Sequence, residues 1–236
     1  GFGVPMSDWL SPAEAEAVWL SLKVAFWATL ASLPFGIWIA WVLARKEFWG
    51  KSLLNGLVHM PLILPPVVTG YLLLMLFGTQ GAIGRWLAEI GIVFAFSWTG
   101  AVLAAAIMAF PMMVRAIRLS IEAIDRRLED AARTLGASPR QRFFIITLPL
   151  ALPGVVTGSI LAFAKALGEF GATITFVSNI PGETRTVPSA IYSFMQVPGG
   201  EDSALRLVLF AIAISMLALI LSEWLAKRVA QVVEGR

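Results

Sequence analysis

The chain has 236 residues, of which 58% are hydrophobic and 14% charged, with a mean hydropathy of +0.80; soluble domains carry about a quarter of their residues as charges. This composition excludes a water-soluble domain and describes a membrane protein. At about 20 apolar residues per spanning helix there is room for roughly five to seven crossings, too many to leave space for the polar domain most enzymes need. There is no cysteine, so disulfides, thiolate metal sites and cysteine nucleophiles are absent.

The N-terminal stretch from Gly1 to Glu16 contains Asp8, Glu14 and Glu16 and no basic residue. It lacks the positive region of a cleavable signal peptide, so the first apolar stretch is expected to stay as a spanning helix. Uncharged stretches cover 24–44, 52–84, 90–114, 143–164 and 207–222. They predict an all-α, polytopic protein with five transmembrane helices in one domain over 1–236, at about 18–44, 52–77, 92–115, 143–168 and 204–224. The last uncharged stretch is the shortest, and Arg206 and Glu223 can snorkel from its ends.

Five crossings put the termini on opposite sides. With the N-terminus outside, the inner side holds Arg45, Lys46 and Lys51, then Arg115, Arg118, Arg126, Arg127, Arg133, Arg140 and Arg142, then Lys227, Arg228 and Arg236. That is thirteen of the eighteen basic residues. Outside are Arg85, Arg185 and Arg206, while Lys23 and Lys165 fall within spans, so the asymmetry favours N-out, C-in. The net charge of +3 is thereby explained as a topology signal, with no nucleic acid partner. Trp9 and Trp19, Trp41 and Trp49, and Trp224 fall at span ends, where tryptophan belts form. Trp27 and Trp38 lie mid-span and read as lipid-facing or packing residues.

Span two contains Pro61, Pro65, Pro66 and Gly70 in MPLILPPVVTG, which should break the hydrogen-bond ladder and bend the helix. Broken backbone at that depth must pack against protein or line a wet cavity, so this helix faces a pathway or subunit interface, or is a packing kink in an ordinary bundle. His59, the sole histidine, has no partners for a metal site and reads as a packed residue.

The loop at about 116–142 has the punctuation of two elements joined by a turn. Ile121, Ile124, Leu128, Ala131, Ala132 and Leu135 recur at three- and four-residue spacing, giving one apolar stripe on a charged helix. Gly136 is the expected stop. Ser138 as N-cap, Pro139 at the first helical position and Gln141 three after the serine predict a second helix that returns to the membrane at Leu148-Pro149.

Between spans four and five, Pro181, Gly182, Pro188, Pro198, Gly199 and Gly200 punctuate the chain too often for a sixth span. Outer-face structure is expected there, with a short helix over Ser189–Met195. Lys165 and Glu169 stand at the outer end of span four. Ionisable residues in spans are costly and usually face an interior, and on a continuous helix these two would share one face and could pair. They read either as a gate in the translocation pathway or as a snorkelling lysine beside an interfacial glutamate. Thr69, Thr157, Ser159, Thr173 and Thr175 are hydroxyls suited to a weak polar lining, although in membrane helices such groups often bond the i−4 carbonyl instead.

No G-x-x-x-x-G-K-[ST], H-E-x-x-H or G-x-S-x-G occurs, so the chain has no phosphate-cradling loop, zinc hydrolase site or serine nucleophile elbow. No catalytic residue, metal site or cofactor is expected, and any motor must be another chain.

Asp130-Ala131-Ala132, then Gly136 after three residues, then Ile146-Thr147-Leu148-Pro149 after nine more, resembles the EAA loop of binding-protein-dependent ABC importer permeases. Asp130 stands where that pattern has Glu, with Glu129 just before it. LPFGIWIAWVLARKEFWGKSLL, MPLILPPVVTGYLLL and ALGEFGATITFVSNIPGETRTVPSAIY look like the molybdate-transporting group of that family, and sulfate and thiosulfate permeases are similar around Gly168-Glu169-Phe170-Gly171. The resemblance implies a bacterial inner-membrane permease of the type I importer bundle. It implies a homodimer that works with two cytoplasmic ATPase subunits and an extracytoplasmic binding protein to import molybdate or tungstate. It also makes Glu129, Asp130, Ala131, Ala132, Gly136, Leu148 and Pro149 the ATPase-coupling residues. Thr69, Lys165, Glu169 and Thr173 are the candidates for the pathway. The rival readings are a sulfate permease, an ATP-independent anion channel or carrier, which should show inverted-repeat halves and intramembrane coupling carboxylates, and a membrane scaffold whose loop recruits a soluble partner.

Overall fold

The computed structural model describes residues 9–235; the acidic N-terminal stretch from Gly1 to Asp8 and the basic Arg236 lie outside the described residues. Helix α1 runs Pro12–Arg45. It opens on a capping box: the Ser11 hydroxyl accepts from the Glu14 N–H, and the Glu14 carboxylate accepts from the Ser11 N–H, both at 3.3 Å. Pro12 stands where a helix has no use for an N–H. Leu20, Val24, Ala28, Ser32, Gly36, Ala40 and Leu43 are buried along it at three- and four-residue intervals, one face of a 3.6-residue period.

Helices α2 (Lys51–Ile63) and α3 (Pro66–Phe77) are the two halves of the expected second span, bent by 115° where they meet. Two consecutive prolines supply no N–H, and the residue before a proline is pushed to extended backbone; Leu64 is extended, with ψ 143°. A short α4 (Gly84–Glu89) leads to α5 (Trp98–Glu122), capped by the Ser97 side chain accepting from the Gly100 N–H. Then come α6 (Arg126–Thr134), α7 (Pro139–Arg142), a π-turn over Phe143–Thr147 and α8 (Leu148–Leu167). The outer region holds α9 (Gly171–Val177) and α10 (Val187–Met195), and α11 (Glu201–Glu234) closes the chain.

The fold is all-α, with no strand among the described residues. Helices α1, α5, the continuous stretch Pro139–Leu167 and α11 are long and apolar enough to cross a membrane, and the bent α2–α3 pair is the fifth such unit. Helix α5 is central, packing on α1 and α8, while α11 packs on α8 and α3 on α9. Its buried face is mostly small: Ala101, Ala104, Ala105 and Ala109, with Met113, Val114 and Ile117 below them. Between helices in lipid, close van der Waals contact replaces the hydrophobic effect as the driving term, and small residues allow that contact.

The apolar stripe expected along one helix from Ile121 to Leu135 is divided. Ile121 and Ile124 are in the core, whereas Leu128 and Leu135 are 49% and 89% exposed. The reason is Asp125, whose side chain accepts from the Arg127 N–H at 2.9 Å and starts a new helix, so the two halves of the stripe face different surroundings.

Helices α5 and α8 meet closely at Gly154, where a Cβ would collide with the Ser120 side chain. Gly154→Leu is expected to destabilise the bundle by about 1–3 kcal/mol, read as a lowered thermal midpoint in detergent. Gly56→Ala, in α2 with no atom within 4 Å of the added methyl, should leave the midpoint unchanged or raise it.

Candidate functional site

The inner loop is anchored at its root and presented at its tip. Glu129, on the first turn of α6, accepts from Arg45 Nε at 3.1 Å and from the Thr147 hydroxyl at 2.7 Å. Arg45 Nη2 also donates to the Ile124 carbonyl at 3.2 Å, and Arg126 returns the tie by donating to the Ala44 carbonyl at 3.4 Å. Four bonds thus join α6 and its entry to the end of α1 and the start of α8. The side chains of the pair are only 7% and 17% exposed, so the attraction is less screened than in a surface pair.

Asp130, next to Glu129, is exposed, as are Ala131 and Leu135, while Ala132 is half-buried. The helix ends in a Schellman motif: the Ala137 N–H donates to the Ala132 carbonyl and the Gly136 N–H to that of Arg133, both at 3.0 Å. Gly136 has φ +85°, a left-handed conformation that suits glycine. Two residues on, Ser138 and Gln141 close the expected capping box, at 2.8 and 3.3 Å.

The π-turn inserts one residue before α8 and turns Thr147 inward to Glu129. Leu148 and Pro149 open α8, and Pro149 lines, with Leu128 of α6 and Val232 of α11, an apolar hollow of about 550 Å³. Of the loop residues singled out by sequence, Glu129 is the one that anchors. Asp130, Ala131 and Gly136 form the outward face, and Leu148 and Pro149 begin the helix behind it.

Three of the four pathway candidates gather where α3 meets α9. Pro66 packs against Gly171, and Gly70 against Ala172 and Thr175. Thr69 and Thr173, beside those contacts, are buried, and the Thr69 hydroxyl has no hydrogen-bond partner. Glu169, 5% exposed, accepts from the Ala172 N–H at 2.7 Å and so caps the first turn of α9. The pairing of Lys165 with Glu169 does not occur, because α8 ends at Leu167 and Glu169 is no longer on the lysine's helix. Lys165 makes no ion pair among the described residues.

Sequence reasoning missed two outer contacts. Glu14, fully buried, accepts from Arg206 Nε at 3.0 Å and Nη2 at 2.6 Å, clamping the outer ends of α1 and α11. Lys23, read only as a charge inside a span, sits 3.7 Å from the ring centroid of Trp98, and the Trp98 backbone N–H donates to the Glu183 carboxylate. The one available signal was the isolation of Lys23, the sole charge between Glu16 and Arg45.

Residues 32–231 match the family described as the binding-protein-dependent transport system inner membrane component. The chain is 62% identical to the molybdenum transport system permease protein of Escherichia coli (strain K12), over 92% of this chain and 96% of that one. A probable sulfate transport system permease protein of Nephroselmis olivacea is 37% identical over 79% of this chain and 66% of its own. Among solved structures, a bacterial alginate ABC transporter in complex with a pentasaccharide-bound periplasmic protein superposes with a TM-score of 0.74 at 17% identity, covering 94% of this chain and 81% of that one.

Removing one partner of the anchoring pair strands the other. Glu129→Met or Arg45→Met alone is expected to cost about 3 kcal/mol, and the double replacement Arg45→Met with Glu129→Met to recover most of that. Denaturant unfolding of the four members of this cycle measures the coupling, and additive single effects would refute the anchor.

Proposed function

Because the chain belongs to the family of inner membrane components of binding-protein-dependent transport systems, we propose that it is the permease subunit through which molybdate, and with it tungstate, enters the cytoplasm. It is a multi-pass inner-membrane transport subunit of the ABC importer type. In this reading two copies enclose the path between them, two ATPase subunits dock from the cytoplasm, and a molybdate-binding protein delivers the anion to the outer mouth.

The observation that supports the substrate is the level of identity to the molybdenum permease, far above that to the sulfate permease and extending over nearly the whole of both chains. The chemistry agrees in kind. A dianion that must leave again needs donors but no cage of arginines, and Thr69 and Thr173 offer neutral hydroxyls beside a proline-broken backbone. Lys165, in the last turn of α8, and Glu169, capping α9, shape the outer part of that path.

The coupling step follows from how the loop is held. A motor that grips Asp130, Ala131, Ala132 and Gly136 moves α6 as a unit. Arg45 and Thr147 then pass the displacement to α1 and α8. ATP-driven closure of the ATPase pair opens the outer side by biasing a bundle with two packings, and hydrolysis resets it.

Two experiments test this. Vesicles holding the permease with its cognate ATPase and binding protein should accumulate molybdate with ATP and not without it, and excess sulfate should leave uptake nearly unchanged. ATP-independent flux would indicate a channel or carrier, and sulfate competition would favour the sulfate reading. Ala131→Arg or Leu135→Asp, at exposed positions, should insert normally yet lower uptake at least about tenfold, equivalent to about 1.4 kcal/mol of docking free energy. Coupled uptake at the wild-type rate in both variants would sink the docking assignment.

A further inference from the structure

Two cavities meet on the flank of the bundle where α1 passes the start of α8. One, of about 310 Å³, is polar and is lined by Arg45, Lys46, Arg126, Arg142, Glu129 and Asp130. The other, of about 570 Å³, is mostly apolar and is lined by Pro34, Ile37, Trp38, Phe144 and Leu148, with Arg140 its one charged residue. Trp41, Pro139 and Phe143 line both. They therefore form one groove, charged at its cytoplasmic end and apolar for the two turns of α1 from Trp41 back to Pro34, a rise of about 10 Å.

The charges in the polar part do not balance. Arg45 is held by Glu129, which also binds Thr147. Lys46 has its ammonium 5.1 Å from the ring centroid of Trp41. Arg126 donates to the Ala44 carbonyl, and Arg142 Nε is buried with no hydrogen-bond partner. None of Lys46, Arg126 and Arg142 makes an ion pair among the described residues. The other carboxylate lining this cavity, Asp130, is exposed. Three cations, one of them with an orphaned guanidinium N–H, thus converge on a hollow that opens directly into apolar wall.

We propose that this groove holds one anionic phospholipid of the cytoplasmic leaflet, its phosphate against Lys46, Arg126 and Arg142 and one acyl chain along Pro34, Trp38 and Phe144. Basic pockets between membrane helices on the cytoplasmic side suit such headgroups, and the orphaned N–H gains a charge-assisted acceptor. A free phosphate would satisfy the cations but leave the larger apolar part of the groove unfilled. The lipid lies against the Arg45–Glu129 pair, so it supports the root of the inner loop, whichever oxyanion the permease carries.

The test is native mass spectrometry of the delipidated full-length chain titrated with phosphatidylglycerol, phosphatidylcholine or inorganic phosphate. One phosphatidylglycerol per chain is expected to survive conditions that strip phosphatidylcholine, and millimolar inorganic phosphate should not displace it. Arg142→Gln and Lys46→Gln should each weaken retention about fivefold, Arg142→Lys much less, and Lys227→Gln, on α11, not at all. Should Arg142→Gln fail to fold, Lys46→Gln at the end of α1 carries the comparison. Equal retention of the two lipids, wild-type retention in both glutamine variants, or the same loss in Lys227→Gln overturns the proposal. Displacement by inorganic phosphate overturns it in favour of a free-anion site.

Discussion

The contact between Arg45 and Glu129 is what gives the inner loop a fixed position. Helix α6 has nine residues, and an isolated helix of that length is marginal in water. Its outward side chains are exposed among the described residues, so its order comes from its root. There the carboxylate of Glu129 meets a guanidinium from α1 and a hydroxyl from the start of α8. One residue therefore joins three segments, and the groove beside it inherits its shape from the same contact.

The outer half follows a different constraint, the pair of prolines at Pro65-Pro66. They turn the second span sharply and bring α3 against α9. Each of these helices is too short to cross the hydrocarbon core, about 30 Å, alone. Their mutual packing covers backbone that lipid would not tolerate. Glu169 supplies an acceptor at the first turn of α9, where a buried helix start needs one. The Glu14–Arg206 clamp closes the same side at a distance.

What the sequence disclosed was local. The Ser138–Gln141 box, the stop at Gly136 and the break before Pro65 are each decided within a few residues by hydrogen-bonding capacity and backbone sterics, and all are present. The helix expected over Ser189–Met195 is there as well, starting two residues earlier. Contacts joining distant segments were not legible: Arg45 and Glu129 stand 84 positions apart, Glu14 and Arg206 stand 192 apart, and no period relates them. The choice between Glu129 and Asp130 was also hidden. Neighbours on a helix point about 100° apart, and which of them faces inward depends on the phase set at Asp125. The Lys165–Glu169 pairing failed for a related reason, because four-residue spacing brings side chains together only while the helix continues.

The π-turn at Phe143–Thr147 sets the angular register of the inner loop against the bundle. A helix that takes one more residue in a turn rotates everything before it by about 100° relative to everything after it. Helix α7 and α8 thus share an axis but not a phase. The hydroxyl of Thr147 fixes that offset from one side and the aromatic contact of Phe143 with Trp41, ring centroids 5.9 Å apart, from the other. The loop and the membrane helix behind it are free to be oriented separately, one away from the bundle and one toward α5. A deletion of a single residue here would merge the two registers and swing the outward face of α6 away from where it now stands, with no change in the composition of either helix.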